Sequence, residues 1–331
     1  MSRFDQLYPL FQDYDMYIES IEVIKAPQVH KGITPYGAYV CKQTFAPPDR
    51  LTHVGGVLRH LQERGWEGAV PFLYTKFDEP FVKKGEEVYY LTEWVESNSI
   101  TIDNLSTWAT ATAVRLAEFH QLTQNYRFDD PRQIEPLVDA LLTRWVFWIQ
   151  QMNLYRDLAL EREYPSPFDV VFLANYPFLT DISNQALESL KLWRRRHETS
   201  NHFRLCLIHG FPHPSHTIMD DLDHVRLLNF DRTVFDTPVR DMTALLRNYY
   251  QLGGDDKGAS QVMEQYGEVF PLRPEETALM KCFLHYPERV MRDLESYYQR
   301  RYEWTELFAV RRIEKDLDRL MRLQRWVNQK W

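Results

Sequence analysis

A chain of 331 residues, 44% hydrophobic and 26% charged, has the balance of a folded globular protein with room for one large domain or two modest ones, which excludes a disordered or membrane-embedded reading. A net charge of -8 excludes a general electrostatic grip on nucleic acid or on an anionic membrane surface. Three widely separated cysteines in apolar contexts, Cys41, Cys206 and Cys282, read as buried thiols of a reducing interior and exclude a disulfide-stapled secreted fold.

The N-terminal stretch MSRFDQLYPLFQDYDMYI lacks a basic start followed by an apolar run, and nowhere do about 18 apolar residues stand together. Neither an export signal nor a membrane span is expected, which places synthesis in the cytoplasm. The abundant aromatics serve core packing or a partner surface, and core packing is the default.

From about Tyr17 to Glu96, β-type runs alternate with turns: MYIESIEVI, then YGAYVCKQTF, then EVYYLTEWV. Val54, Val57, Leu58 and Leu61 recur at helical spacing before Gly65, so one helix interrupts the strands. After SNSITIDN the period shifts from two to about 3.6. Leu105–Leu122 reads as a helix capped by Asp103 or Asn104. Further helices are expected at Pro136–Tyr155, Thr180–His197, Met242–Tyr250, Ser260–Val269, Pro274–His285 and Glu288–Trp331, the last divided. Between them only RLCLIHG through VRLLNFD is β-like. The expected architecture is α+β, with a sheet lobe over 1–96 and a helical lobe over 97–331.

Residues Leu205–Arg247 run strand, loop, strand, loop, helix. Phosphotransferases that hold MgATP need a loop carboxylate for the substrate hydroxyl, an amide-type oxygen for the metal, and a second metal-binding carboxylate on the next strand. Here the chain reads His209-Gly210-Phe211-Pro212-His213-Pro214-Ser215-His216 and then Leu228-Asn229-Phe230-Asp231. This resembles the choline kinase and aminoglycoside phosphotransferase superfamily, and within it the YutH-like branch of the spore coat CotS family, whose pattern is HGD-F-H-P-x-N followed by I-D-F-D. Pro238, Asp241, Leu245, Leu246 and Arg247 resemble the family's P-x-x-D-x-x-x-L-L-R helix start, and Arg115-Leu116-Ala117-Glu118-Phe119-His120 its L-A-x-F-H helix.

The resemblance implies a protein-kinase-like two-lobed fold, and it covers nearly the whole chain. It also implies a spore coat location with other coat proteins as partners. His209 and Asp241 are implied as residues that hold the loop. Phe211 stands where the family has its catalytic Asp, His216 where it has a metal-binding Asn, and Asn229 where it has a metal-binding Asp. Phe cannot accept a proton, and Mg²⁺ prefers hard anionic oxygens to an amide or an imidazole. Lys42 sits on the strand where kinase-like folds place the lysine that touches ATP phosphates, and Glu93 and Val95 fall in the stretch that faces adenine. Glu63, the only acid in the body of the following helix, lies near its end, and HKGITPYG lacks the G-x-G-x-x-G spacing.

His209, His213, His216 and His224 invite a zinc reading, but no Cys or carboxylate completes a familiar ligand spacing, so no metal site is assigned. Arg194-Arg195-Arg196 and the basic residues of the last helix are interleaved with acids and read as solvated faces. Val310, Ile313, Leu317, Leu320, Trp326 and Val327 form an apolar stripe suited to packing or to docking a partner.

The leading expectation is a coat-associated, catalytically inactive kinase-like protein that requires no cofactor, with ATP binding left open and Mg²⁺ disfavoured. One rival is an active small-molecule kinase using Asp231 for the metal and His213 or His216 as base. Against it, a one-residue shift along a strand reverses the face of its side chains. A second rival is a module that senses nucleotide without metal. The ligand and the oligomeric state stay open.

Overall fold

The computed structural model describes residues 3–124, 137–197 and 204–331. The chain forms a mixed α/β protein with a small N-terminal antiparallel sheet and a larger, mainly helical C-terminal part, as the sequence led us to expect. It divides into two compact units. One draws on Met1–Asn125, Cys206–Phe235 and Val262–Phe270, the other on Tyr126–Leu205, Asp236–Gln261 and Pro271–Trp331.

In the first unit, helix α1 (Arg3–Gln12) precedes strands β1 (Ser20–Lys25), β2 (Val29–Thr34) and β3 (Gly37–Thr44). Helix α2 (Pro48–Glu63) and strands β4 (Val82–Lys84) and β5 (Glu87–Glu93) follow. The sheet order is β1-β2-β3-β5-β4. The three expected strands are present. Two more, β2 and β4, and helix α1 were not expected.

Leu7, Leu10 and Phe11 of α1 form a core with Tyr14, Ile18, Cys41, Tyr89 and Leu91, so α1 covers one face of the sheet. The approach is close enough to dictate a residue on β2: a Cβ on Gly32 would lie 2.5 Å from Phe11 Cζ. In α2, Leu51, Val54, Val57, Leu58 and Leu61 are buried at three- and four-residue spacing, and the chain leaves the helix at Gly65, whose φ is +84°.

Helix α3 (Leu105–Thr123) starts after Asn104 and buries Trp108, Leu116 and Phe119. Trp108 Nε1 donates to Thr217 Oγ1 at 2.8 Å, which ties α3 to strand β7 (Thr217–Met219). Strand β6 (Cys206–Ile208) is wholly buried, and β7 pairs antiparallel with β8 (Val225–Leu227). A pair of backbone bonds, Val70 N to Leu227 O and Leu227 N to Gly68 O, both 2.8 Å, joins β8 to the segment after α2. Strand β9 (Val234–Asp236) lies beside β6.

The helical unit contains α4 (Leu137–Leu160), α5 (Pro167–Arg196), α6 (Val239–Gln251), α8 (Pro274–His285), α9 (Glu288–Tyr298) and α10 (Glu306–Lys330), while α7 (Asp256–Val269) runs from this unit into the first. Pro136, the expected start of the first of these helices, lies outside the described residues. The expected start at Thr180 is corrected to Pro167. There Ser166 caps the helix: its hydroxyl accepts from Asp169 N, and the Asp169 carboxylate accepts from Ser166 N. The expected division of the last helix falls between Tyr298 and Glu306.

Many of the aromatics pack inside, as in the parallel stack of Trp145 on Tyr286 at 4.0 Å and of Phe168 on Tyr297 at 3.8 Å. Among the described residues no helix is long and apolar enough to cross a membrane.

Candidate functional site

Lys42 on β3 and Tyr90 on β5 are direct cross-strand partners, so their side chains leave the sheet on one face. Strand β8 ends at Leu227, and two residues later Asn229 takes a left-handed conformation (φ 65°), which Asn tolerates better than most residues. A single 3₁₀ turn, Phe230–Arg232, follows. Phe230 anchors it, fully buried against Phe119 and His209.

The turn carries Asp231 to Lys42 and Tyr90. Lys42 Nζ lies 2.6 Å from Asp231 Oδ2, and Tyr90 Oη donates to Asp231 Oδ1 at 2.6 Å. Asn229 Oδ1 accepts from Lys42 Nζ at 3.1 Å, with Tyr90 Oη at 3.3 Å. Arg50, in the first turn of α2, donates to the Asp231 carbonyl at 3.2 Å. Burial, with the Asp231 carboxylate beside it, pushes the Tyr90 phenol well up, so the phenol keeps its proton and acts as donor.

The strand-face objection to Asp231 is therefore corrected. Asn229 and Asp231 lie beyond the strand, and the left-handed residue between strand and turn resets the direction of the side chains.

In the preceding loop, His209 Nε2 lies 2.8 Å from the Leu228 carbonyl and Nδ1 accepts from Phe211 N at 3.3 Å, which sets the tautomer and ties the loop to the end of β8. Gly210 has φ +84°, and a Cβ there would meet Arg232 O at 2.6 Å. The loop thus approaches the 3₁₀ turn as only glycine allows. Phe211 stacks on His213 at 5.5 Å, meets His216 edge-on at 4.9 Å, and lies under the Arg232 guanidinium at 4.8 Å.

Burial first, then the charges of His209, Lys42, Arg232 and His213, push the His216 imidazole down to about 3. Its Nδ1 is buried and has no hydrogen-bond partner among the described residues. His213 Nδ1 accepts from Ser215 N at 3.1 Å, and His224 lies 3.4 Å from Asp220.

A magnesium nucleotide, which the family resemblance implies, does not fit this donor set. Both Asp231 oxygens already serve the Lys42 ammonium and the Tyr90 hydroxyl. Asn229 offers a neutral amide oxygen that is already engaged, His216 offers nitrogen, and Phe211 offers nothing. Among the described residues no group of three or more His, Cys, Asp or Glu side chains could hold a metal.

The structure brings together Lys42, Asn229, Asp231, Phe211, His209 and His216. Glu93 stands exposed at the end of β5 and Val95 is half-buried just beyond it. Trp94 N between them bonds the Ala38 carbonyl at 2.9 Å. Asp241 is wholly buried in the first turn of α6, in the helical unit. Glu63 lies exposed at the last position of α2, and the acid at Lys42 is Asp231. Tyr90, Arg50 and Arg232 were not foreseen. Only the β3–β5 register, which pairs Lys42 with Tyr90, could have signalled the first of them.

Residues 9–329 match the family described as "Spore coat putative kinase YutH". Among solved structures the chain is similar to an aminoglycoside phosphotransferase from Alicyclobacillus acidocaldarius, with a TM-score of 0.78 and 21% identity over 97% of this chain and 96% of that one. It is similar to the AMP-bound spectinomycin phosphotransferase APH(9)-Ia, with a TM-score of 0.67 and 13% identity over 98% of both chains. Choline kinase LicA from Streptococcus pneumoniae gives a TM-score of 0.52 and 12% identity over 96% of this chain and 97% of that one. At these identities the likeness establishes a kinase-like fold.

Proposed function

The chain belongs to the spore coat YutH family of kinase-like proteins, and on that premise we propose that it serves the coat as a binding component that does not transfer phosphate. One observation carries this reading: Lys42 is held at 2.6 Å by Asp231, whose other oxygen accepts a hydrogen bond from the Tyr90 hydroxyl, beside an aromatic Phe211 at the base position. An ammonium so neutralised is poorly placed to hold a phosphate. General-base assistance of the kind an Asp would give at Phe211 is worth about 10²–10⁴-fold. The partners under this reading are other coat proteins, and no cofactor is required. The test is an assay of phosphate transfer from ATP and Mg²⁺ to sugars, to amino alcohols and to the protein itself. Transfer at background level is expected, and turnover abolished by Asp231→Ala overturns the proposal.

A second reading, an active kinase with a rearranged site, draws support from the meeting of Lys42 and Asp231. His216 is a poor base for it, because an imidazole pushed down to about 3 has little proton affinity at neutral pH. His213 would have to serve, and His213→Ala would then reduce any turnover found in the same assay.

A further inference from the structure

The Asp231 carboxylate holds the position that a bound anion would take. Its Oδ2 lies 2.6 Å from Lys42 Nζ, and its Oδ1 accepts from Tyr90 Oη at 2.6 Å. The sheet fixes both donors, because Lys42 and Tyr90 are cross-strand partners and Tyr90 is 1% exposed. The acceptor is carried differently, on the single 3₁₀ turn that Phe230 anchors. The Asp231 side chain is 19% exposed and has only two rotatable bonds. It can leave Lys42 by changing rotamer toward water, with the backbone of the turn in place.

The charge at this point is one-sided. Arg50 Nη1 reaches the same residue from α2 and donates to the Asp231 carbonyl at 3.2 Å, so Lys42 and Arg50 converge on Asp231. Arg50 is spent on a neutral oxygen and makes no ion pair among the described residues. Asn229 Oδ1, which accepts from Lys42 Nζ at 3.1 Å, is neutral as well. Two cations therefore share one carboxylate. A chain of phosphates carries more negative charge and more acceptor oxygens than that carboxylate, and can answer both cations at once.

We propose that Asp231 is a built-in competitor of anions: its carboxylate closes the Lys42–Tyr90 position, and once its charge is removed the same donors, with Arg50, take up a polyphosphate chain without a metal. The inference rests on the reading of Lys42 as neutralised in the proposed function, and adds that the neutralisation is a reversible block. Without Asp231 the Lys42 ammonium, 15% exposed, is left desolvated and uncompensated, and a bound anion offsets that cost.

The test titrates tripolyphosphate and ATP, each in EDTA at constant ionic strength, into the full chain by calorimetry, with thermal melting alongside. Asp231→Asn keeps the shape and removes the charge. It is expected to bind at least one of the two probes about tenfold or more tighter than the native chain does, and to gain more in melting temperature from it. The tighter of the two tells a bare polyphosphate from a nucleotide. Adding Lys42→Met is expected to abolish the gain. Glu86→Gln, an exposed loss of one negative charge in the same unit, is expected to bind as the native chain does. Should Asp231→Asn fail to fold, Tyr90→Phe takes its place: it keeps the buried ring, loosens only Asp231 Oδ1, and is expected to move affinity the same way by a smaller factor. The inference is overturned if the variant so used binds neither probe more tightly than the native chain, if the gain survives Lys42→Met, or if Glu86→Gln matches it. Phosphate transfer by the native chain would overturn the proposed function and leave this comparison standing, because binding is read here without metal.

Discussion

Lys42 and Asp231 are each mostly buried, with side chains 15% and 19% exposed, and each is the other's ionic partner. Removing one member of such a pair leaves the other desolvated and unpaired, with Tyr90 also losing its acceptor. Asp231→Ala is therefore expected to destabilise the protein by about 1–3 kcal/mol in urea unfolding, discounted from the cost at a fully buried pair because some water remains. Adding Lys42→Met should recover part of the loss, and full additivity of the two changes would contradict the pairing.

His216 gives a prediction with a sign. Its folded pKa lies below its unfolded value near 6.5, so its stabilising share is fully present above pH 6.5 and is lost as pH falls toward 3. At about 1.4 kcal/mol per tenfold change in proton affinity, the loss by pH 3 is roughly 3–5 kcal/mol. His216→Asn should flatten the acid limb of the melting curve in this window. Phe211, His216 and Asn229 were legible in the sequence because their positions are set by local loop spacing. Tyr90, Arg50 and Arg232 were not, because their contacts join residues remote in the chain and depend on strand register and a left-handed turn.

At the scale of elements, α9 and α10 meet through a pair of buried acids. Asp293 Oδ1 binds Arg312 Nε at 2.7 Å, and Asp316 binds Arg289 Nε at 2.7 Å and Arg319 Nη1 at 2.9 Å. Burial, then the adjoining Asp316 carboxyl, raises the Asp293 carboxyl to about 7. A raised acid contributes stability that is full below its ordinary value near 3.8 and is lost as pH climbs through 7. Asp293→Asn, which mimics the protonated form, should stabilise the chain by roughly 1–3 kcal/mol at pH 8 and by little at pH 4. A pH-independent effect would contradict the raised Asp293 carboxyl.

Ser166→Ala should cost about 1 kcal/mol through loss of the α5 cap. The spacing of Ser166 and Asp169 is that of a capping box, but Pro165, Pro167 and Pro177 are residues that disfavour a helix interior and mask it in the sequence. Pro167 is tolerated because the first helical residue needs no N–H donor. Helix α1 was hidden by Pro9, and β2 by Gly32, a residue that weakens a strand by itself and is required here by Phe11.

Across the whole molecule, the change of hydrophobic period near residue 100 and the frame of the 205–247 segment were enough to read a kinase-like fold, because both are local signals repeated over many residues. The apolar stripe of the last helix is used internally: Ile313, Leu317, Leu320, Trp326 and Val327 are buried, and α10 packs with α5, α6, α8 and α9. The family matched over residues 9–329 has a kinase-like frame, in which this chain engages both Asp231 oxygens with Lys42 and Tyr90. The direct test is calorimetric titration of ATP into the full chain with and without Mg²⁺. The account predicts an affinity, strong or weak, that Mg²⁺ does not improve. A tenfold or greater tightening by Mg²⁺ that disappears in Asp231→Ala would contradict it.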